Sequence, residues 1–234
     1  MLTDKTGDIS GFLKTTHIFQ NVPLAALEEA AVRCVISHPR RGAILYRKGN
    51  SAKFMYFLRQ GYVMESVNYR ESVDVIVKVK CPGDYFGETA IMTDMEYQNT
   101  AIVTEDANLI LMPKETFLRL AQSNYSVCSV VIRELVERLT NSAQNMVNSM
   151  YLDAPGRLAF TILNLTGVAD KRHIREIRVT QGALAASSGM ARQTAAKVLS
   201  EWRRDGWIAT DRGKLCVLDV DRLLNIILNS ELRC

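Results

Sequence analysis

No apolar run in the 234 residues approaches the ~18 that a membrane-spanning helix requires, and the opening Met1-Leu2-Thr3-Asp4-Lys5 carries no long apolar leader segment. A cytoplasmic location is expected. Cysteines are few and scattered: Cys34, Cys81, Cys128, Cys216 and Cys234, with no C-x-x-C pair. Structural zinc and iron–sulfur clusters need grouped thiolates, so neither is expected, and the thiols read as free groups in a reducing compartment. Histidine is scarce too. Its three copies lie far apart, and no Ser/His/Asp order, metal cluster or phosphate loop accompanies them. Catalysis is not expected.

The chain does have core-forming residues and an uneven charge. It is 47% hydrophobic and 23% charged, enough for one large or two modest domains. Residues 155–234 hold 13 Lys and Arg against 8 Asp and Glu, a net of +5, while residues 1–154 hold 16 against 17, a net of −1. A near-neutral part followed by a basic part implies an anionic partner for the second, nucleic acid being the commonest.

Short apolar runs dominate the first half: Ala43–Tyr46, Phe54–Leu58, Tyr62–Val67, Val73–Val79, Ala101–Thr104 and Leu109–Met112. Turn signals separate them, among them Gln60-Gly61, Asn68-Tyr69-Arg70 and Pro82-Gly83-Asp84. Val73–Lys80 nearly alternates apolar with polar, as a half-buried strand does. This spacing predicts an all-β barrel or sandwich, preceded by a short helix over 23–34 that Pro23 opens. From Pro113 the period becomes helical, with a short helix over 114–122. The Gly- and Pro-free stretch Tyr125–Tyr151 then places Cys128, Ile132, Leu135, Leu139, Ser142 and Met146 at steps of 4, 3, 4, 3, 4. That is coiled-coil spacing, and Cys128, Ile132, Leu135, Leu139 and Met146 are the expected seam of a dimerisation helix. Asp153-Ala154-Pro155-Gly156 breaks it. The expected division is residues 1–122, 123–153 and 154–234, with an amphipathic helix resuming at Arg157.

In the basic part, Thr180 can cap a helix over 181–187, Gly189 supplies a tight turn, and a second helix runs from Ala191 to Asp205 before Gly206. Small Ala185 sits where two crossing helices need space. These offsets predict a helix-turn-helix. The strand-like 207–209 and 214–218, joined by Thr210-Asp211-Arg212-Gly213, form a hairpin, hence a wing. The second helix would present Arg192, Gln193, Thr194 and Lys197 at its N-terminal end, where such helices enter the major groove. Arginine pairs bidentately with guanine and glutamine with adenine. Thr180, Gln181, Arg192, Gln193, Thr194, Lys197, Arg212 and Lys214 are the candidate DNA contacts. Ala191 is a poor cap, and Ser188 is polar where an apolar residue would pack.

This order of parts resembles the family of the cyclic-AMP receptor protein and FNR. The resemblance runs from about Ile18 to Leu228 and rests on Gly49, Gly61, Pro82-Gly83-Asp84, Phe86-Gly87-Glu88 and the Ala185/Gly189 turn. It implies an α+β chain: an N-terminal β-roll (a cyclic-nucleotide-binding-like jelly roll), a long dimerisation helix and a C-terminal winged helix-turn-helix. It also implies a homodimeric bacterial transcription regulator that binds a double-stranded DNA operator, meets RNA polymerase if it activates, and is reset by an effector in the β-roll. The pocket it implies is Tyr85, Phe86, Gly87, Glu88, Thr89, Asn99, Thr100 and Ala101. In cyclic-AMP-binding members the glutamate of this cassette accepts from the ribose, and an arginine about ten residues on neutralises the phosphate. Here Thr100-Ala101 match, but Asn99 (or Gln98) stands at the arginine position. A buried phosphate without a cation is costly, so cyclic AMP is not the expected effector. Nor is the cysteine cluster of oxygen-sensing members present before Cys34, and His17, His38 and Cys34 give no grounds for haem. An organic acid, another metabolite, a redox signal on Cys34 or Cys128, or no effector remain open. The family's usual base-reading Arg-Glu pair is Arg192-Gln193 here, which predicts a departing half-site. The alternative is an effector-binding module that regulates a protein partner through the β-roll without reading DNA. The basic wing, Arg192 and Lys197 speak against it.

Overall fold

The computed structural model describes residues 2–70, 73–166, 176–211 and 213–231. The chain divides into two compact units: residues 1–65 with 80–139, and residues 66–79 with 140–234.

Unit 1 opens with helix α1 (Leu2–Thr15), a 3-10 turn (His17–Phe19) and α2 (Leu24–Ala31). Pro23 caps α2 as expected, its fixed φ suiting the entry. Helix α1 is not among the expected elements. Its Ile9 and Leu13 are buried, and Asp8 holds Arg59 through two bonds of 2.6 and 2.8 Å. The roll is built from β1 (Val35–Ser37), β2 (Ile44–Tyr46), β3 (Phe54–Arg70), β4 (Val73–Lys80), β5 (Tyr85–Phe86) and β6 (Thr100–Pro113). They form one sheet in the order β1-β6-β3-β4, with β2 also pairing β6 and β5 pairing β3. Between β5 and β6 lies the one-turn helix α3 (Glu88–Met92). Helix α4 (Lys114–Ser123) follows β6, and α5 runs Tyr125–Tyr151. Phe19, Phe57, Phe86 and Phe117 are completely buried, and Val127 and Val131 of α5 join this core.

Two pairs of runs expected as separate strands are continuous. The runs 54–58 and 62–67 are one strand, β3, and 101–104 and 109–112 are one strand, β6. Gly61 marks a close approach instead. At φ +85°, a β-carbon there would lie 2.4 Å from the Asp106 carbonyl oxygen and 2.8 Å from the Ala107 α-carbon. A glycine between apolar runs signals a bulge or close contact as readily as a turn.

In unit 2, α6 (Ala154–Leu165) starts at the expected break rather than after it. Asp153 accepts from the Gly156 N–H at 2.8 Å and caps it, with Pro155 tolerated in the first turn. β7 (Glu176–Arg178), α7 (Gln181–Ser187), α8 (Arg192–Arg204), β8 (Ile208–Asp211), β9 (Lys214–Val217) and α9 (Val220–Glu231) complete it. The wing hairpin is present, and β7 adds a third strand in the order β7-β9-β8. Helix α9 is a further element beyond those expected. It packs on α6, and its Ser230 hydroxyl donates to Asp153 Oδ1 at 2.8 Å. A β-carbon at Gly156 would lie 2.6 Å from the Ser230 Oγ. Residues 66–79 join this unit through the Ile76 N–H, which donates to the Ser187 hydroxyl at 2.9 Å.

Gly61→Ala is expected to lower unfolding free energy by about 2–3 kcal/mol, because backbone atoms rather than a flexible side chain must move. Urea denaturation followed by far-ultraviolet circular dichroism measures this. A loss under about 0.5 kcal/mol would show that β3 and β6 part there freely.

Candidate functional site

The cassette folds as expected locally. Gly87, at φ +92°, turns β5 into α3, and a β-carbon there would lie 3.1 Å from the Phe54 carbonyl oxygen. Glu88 opens α3 and is 3% exposed. The expected pocket residues are present around it, but the chain itself occupies them. Tyr85, Phe86 and Ala101 are buried. Thr89 Oγ1 donates to Glu88 at 3.3 Å. Thr100 accepts from the Lys48 N–H at 3.2 Å. Asn99 donates to Glu65 Oε1 at 3.1 Å.

Glu88 is bound by Arg138 of α5, Nη1 to Oε1, at 2.6 Å. Arg138 also reaches Glu134, one helical turn back, at 3.6 Å. Lys80, at the end of β4 and 3% exposed, donates to the Tyr85 carbonyl at 2.9 Å and lies 3.7 Å from Glu65. Glu65 also accepts from the Tyr46 hydroxyl at 2.8 Å. Three carboxylates and two cations, a net of −1, therefore share one cluster. Aromatic rings fill the space beside it: Tyr46 stacks on Tyr97 at 3.8 Å and Tyr56 on Phe86 at 5.0 Å.

Burial alone would push the Glu88 carboxyl up, but the Lys80 and Arg138 charges, with hydrogen bonds, outweigh it and hold it below the ordinary carboxylate value. Burial, helped by the Glu65 carboxylate, drives the Tyr46 hydroxyl far up, so it stays a donor. Cys34 is buried, its thiol pushed up to about 12 by burial, which leaves it an inert thiol rather than a thiolate.

Sequence reasoning missed Glu65, Lys80 and Arg138. A signal existed for two of them. Glu65 interrupts the apolar run Tyr62–Val67, and Lys80 ends an alternating strand on the buried side. Arg138 sits among other charges on a helix and gave none.

Within the expected seam of α5, Cys128 packs against the unit 1 core, and its thiol donates to the Ala121 carbonyl at 3.3 Å. Ile132, Leu135, Leu139 and Met146 are exposed, as are Val136 and Met150. The four–three step is kept by 132, 136, 139, 143, 146 and 150. Leu139 is the most exposed of these large side chains, at 72%.

The helix-turn-helix frame is close-packed. Ala185 and Ala195 are buried where α7 and α8 cross, Gly189 has φ +61°, and the Thr180 hydroxyl accepts from the Ala183 N–H at 3.1 Å. Ser188 is buried, satisfied by donating to the Leu184 carbonyl at 2.8 Å. Arg192, Gln193, Thr194 and Lys197 are exposed along the N-terminal part of α8. Thr180, Gln181, Arg192, Arg203, Thr210, Asp211 and Lys214 line a groove of about 450 Å³ between this frame and the wing. The Lys214 ammonium is paired with Glu176 across β7 and β9, so it reaches the groove with its charge already partnered. Arg212 lies outside the described residues. Among the described residues, no group of His, Cys, Asp and Glu is placed to hold a metal, and no helix is long and apolar enough to cross a membrane.

Residues 37–124 match a family model described as a cyclic nucleotide-binding domain, and residues 156–226 match a Crp-like helix-turn-helix domain. The chain is 22% identical over 215 residues to the CRP-like cAMP-activated global transcriptional regulator of Mycobacterium tuberculosis, covering 90% of this chain and 96% of that one. It is 23% identical over 185 residues to the cAMP-activated global transcriptional regulator CRP of Pasteurella multocida, covering 77% and 88%. Among solved structures, FixK2 from Bradyrhizobium japonicum aligns with a TM-score of 0.67 at 17% identity, over 82% of this chain and 96% of that one. A CRP-family transcriptional regulator from Thermus thermophilus aligns at 0.62 and 22%, over 82% and 96%. The two structures share the fold.

Breaking the buried pair by Arg138→Met is expected to destabilise unit 1 by about 3 kcal/mol, since Glu88 keeps its charge and loses its hydrogen-bonded partner. Chemical denaturation measures it, and a neutral result would mean that Lys80 alone holds the carboxylate. The pH dependence has a definite sign. Glu88 titrates lower when folded than its ordinary value of 4.5. Its stabilisation is therefore complete above about pH 4.5 and disappears as pH falls through the folded value. Thermal midpoints between about pH 6 and 3.5 should fall less steeply in Glu88→Gln than in the parent chain.

Proposed function

This chain belongs to the CRP/FNR family of bacterial transcription regulators, and on that premise we propose that it is a cytoplasmic homodimer that reads a DNA operator and is not controlled by cyclic AMP. The observation that carries the DNA reading is the row Arg192, Gln193, Thr194 and Lys197, exposed at the start of α8 on a packed helix-turn-helix frame. Arg192 donates to guanine O6 and N7, Gln193 pairs with adenine, and Lys197 meets phosphate or a second base. Arg203 and Arg204, in the last turn of α8, supply charge to the DNA backbone. Thr180 and Gln181 at the start of α7, with Arg212 and Lys214 on the wing, complete the contacts.

The second copy pairs along α5. Ile132, Leu139 and Met150 lie exposed at coiled-coil steps on a 27-residue helix, and an apolar stripe of this length is buried in a parallel pair. The division of labour follows as residues 1–122 for the effector domain, 123–153 for the dimer helix and 154–234 for DNA binding. RNA polymerase is the further partner if the protein activates.

Two of its relatives are named as cAMP-activated. In this chain the cassette glutamate is taken by Arg138, the counter-charge position holds Asn99, and the cluster around them is already net negative. A cyclic phosphate entering there would meet a net negative cluster whose two cations are already committed to carboxylates.

Selection from random duplexes, followed by binding isotherms, tests the reading. Arg192→Ala is expected to weaken the selected operator by about 1–3 kcal/mol and relax one base position. Millimolar cyclic AMP should leave the isotherm of the parent chain unchanged. Leu139→Glu should give a monomer by sedimentation, with operator affinity lost. Unchanged occupancy in Arg192→Ala, or tightening by cyclic AMP, would overturn the corresponding half of the proposal.

A further inference from the structure

The geometry points to Arg157 as a positioning residue for DNA recognition, a side chain that touches no base and sets where the recognition helix begins. The inference rests on α8 being the helix that reads DNA. Arg157 lies in the first turn of α6, half-buried. Its guanidinium spans two main-chain oxygens. Nη1 donates to the Leu152 carbonyl at 2.8 Å, and Nε donates to the Ser188 carbonyl at 3.2 Å.

Both acceptors stand at helix ends. Leu152 is buried and directly follows the last residue of α5. Ser188 is the C-terminal cap of α7 and is itself buried. Carbonyls at a helix C-terminus lack a donor from their own helix and carry the negative end of its dipole, so a cation fits both. The turn after α7 uses its own amides elsewhere. Ser188 N–H donates to Leu184, Gly189 N–H to Ala186 and Met190 N–H to Ala185. These bonds shape the turn internally and leave its attachment to the rest of the unit to the Ser188 carbonyl and the packed apolar face. Four residues past Ser188 comes Arg192, the first residue of α8.

A guanidinium is a rigid plane with donors in fixed directions. One plane bonding two oxygens fixes the end of α7, and with it the first turn of α8, against the junction of α5 and α6. Asp153 holds the other side of that junction through Gly156 and Ser230. A lysine at 157 carries the same charge on a flexible stem and cannot reproduce the two directions. The effect is on the pose of Arg192 and Gln193, so it appears in discrimination between sequences more than in attraction to DNA as a polyanion, which depends on charge count.

The experiment uses the full-length protein, a selected operator duplex and a scrambled duplex of equal length. Fluorescence anisotropy at one salt concentration gives both affinities, and thermal unfolding is recorded for each variant. Arg157→Met is expected to lower operator affinity by about tenfold or more, as the start of α8 loses its fixed pose. Scrambled-duplex affinity should stay close to the parent, and the thermal midpoint should fall by several degrees with the loss of two charge-assisted bonds, so both affinities are read well below it. Arg157→Lys should fall between. An unchanged operator-to-scrambled ratio in Arg157→Met, or a loss of both affinities in proportion, overturns the assignment. If Arg157→Met does not fold, Arg157→Lys decides alone: a reduced ratio read well below its thermal midpoint supports it, and an unchanged ratio overturns it. Arg192→Ala separates the two readings. A retained ratio in that variant removes α8 as the reading helix, whereas a reduced ratio there beside an intact one in Arg157→Met removes only the positioning role.

Discussion

A carboxylate that is 3% exposed cannot remain charged without a partner, and Glu88 has its partner in the chain itself. The Arg138 guanidinium at 2.6 Å, the nearby Lys80 ammonium, and the Glu65 and Asn99 groups behind it make a closed set of donors and acceptors. The arrangement ties α5 to the cassette of the β-roll through one side chain. It also engages the polar groups of the cassette within the chain, Glu88 with Arg138 and Asn99 with Glu65. A buried ion network of this kind contributes little net stability compared with an apolar core, but it specifies one arrangement, since removing either partner leaves the other stranded.

The same matching of main-chain groups to side chains runs through the DNA-reading part. Thr180 caps α7, Asp153 caps α6, Ser188 serves the Leu184 carbonyl, and Arg157 serves two carbonyls at once. Each of these is a polar side chain at a helix end, where backbone groups lack partners. Small Ala185 and Ala195 between α7 and α8 let the helices approach closely. The exposed face of α8, Gln193 included, takes no part in these contacts, so it can vary while the frame stays intact.

Much of this was legible in the residues. Gly189, Thr180 and Gly206 punctuate two helices at a spacing few other motifs produce, so α7 and α8 emerged within a residue of their ends. The stretch Tyr125–Tyr151, free of Gly and Pro, gave α5 with the observed limits. The seam was legible only in part, because exposure depends on what covers a helix. Cys128 has the right period but lies against the core that also buries Val127 and Val131. In the β-roll two pairs of apolar runs proved to be single strands, since Gly61 marks a close crossing of β3 and β6 rather than a reversal, while the short β1 and β5 were not among the expected runs. Arg138 was invisible. Its meaning comes from a glutamate far away in sequence, and no local pattern separates a half-buried arginine from its solvated neighbours on the same helix. Helix α9 differs, because its signal was present. It lies past the wing, where the DNA-binding pattern is already complete, yet Val220–Leu228 has the apolar spacing of an amphipathic helix.

Gly156 and Ser230 meet so closely that a β-carbon at the first would lie 2.6 Å from the Ser230 Oγ and 3.0 Å from its β-carbon. The two positions, one just after α5 and one near the end of α9, are thereby coupled. Alanine at 156 would displace the Ser230 hydroxyl and strain its bond to Asp153 Oδ1. A change at 156 is thus felt twice at the start of α6, once through space and once through the aspartate that both positions share.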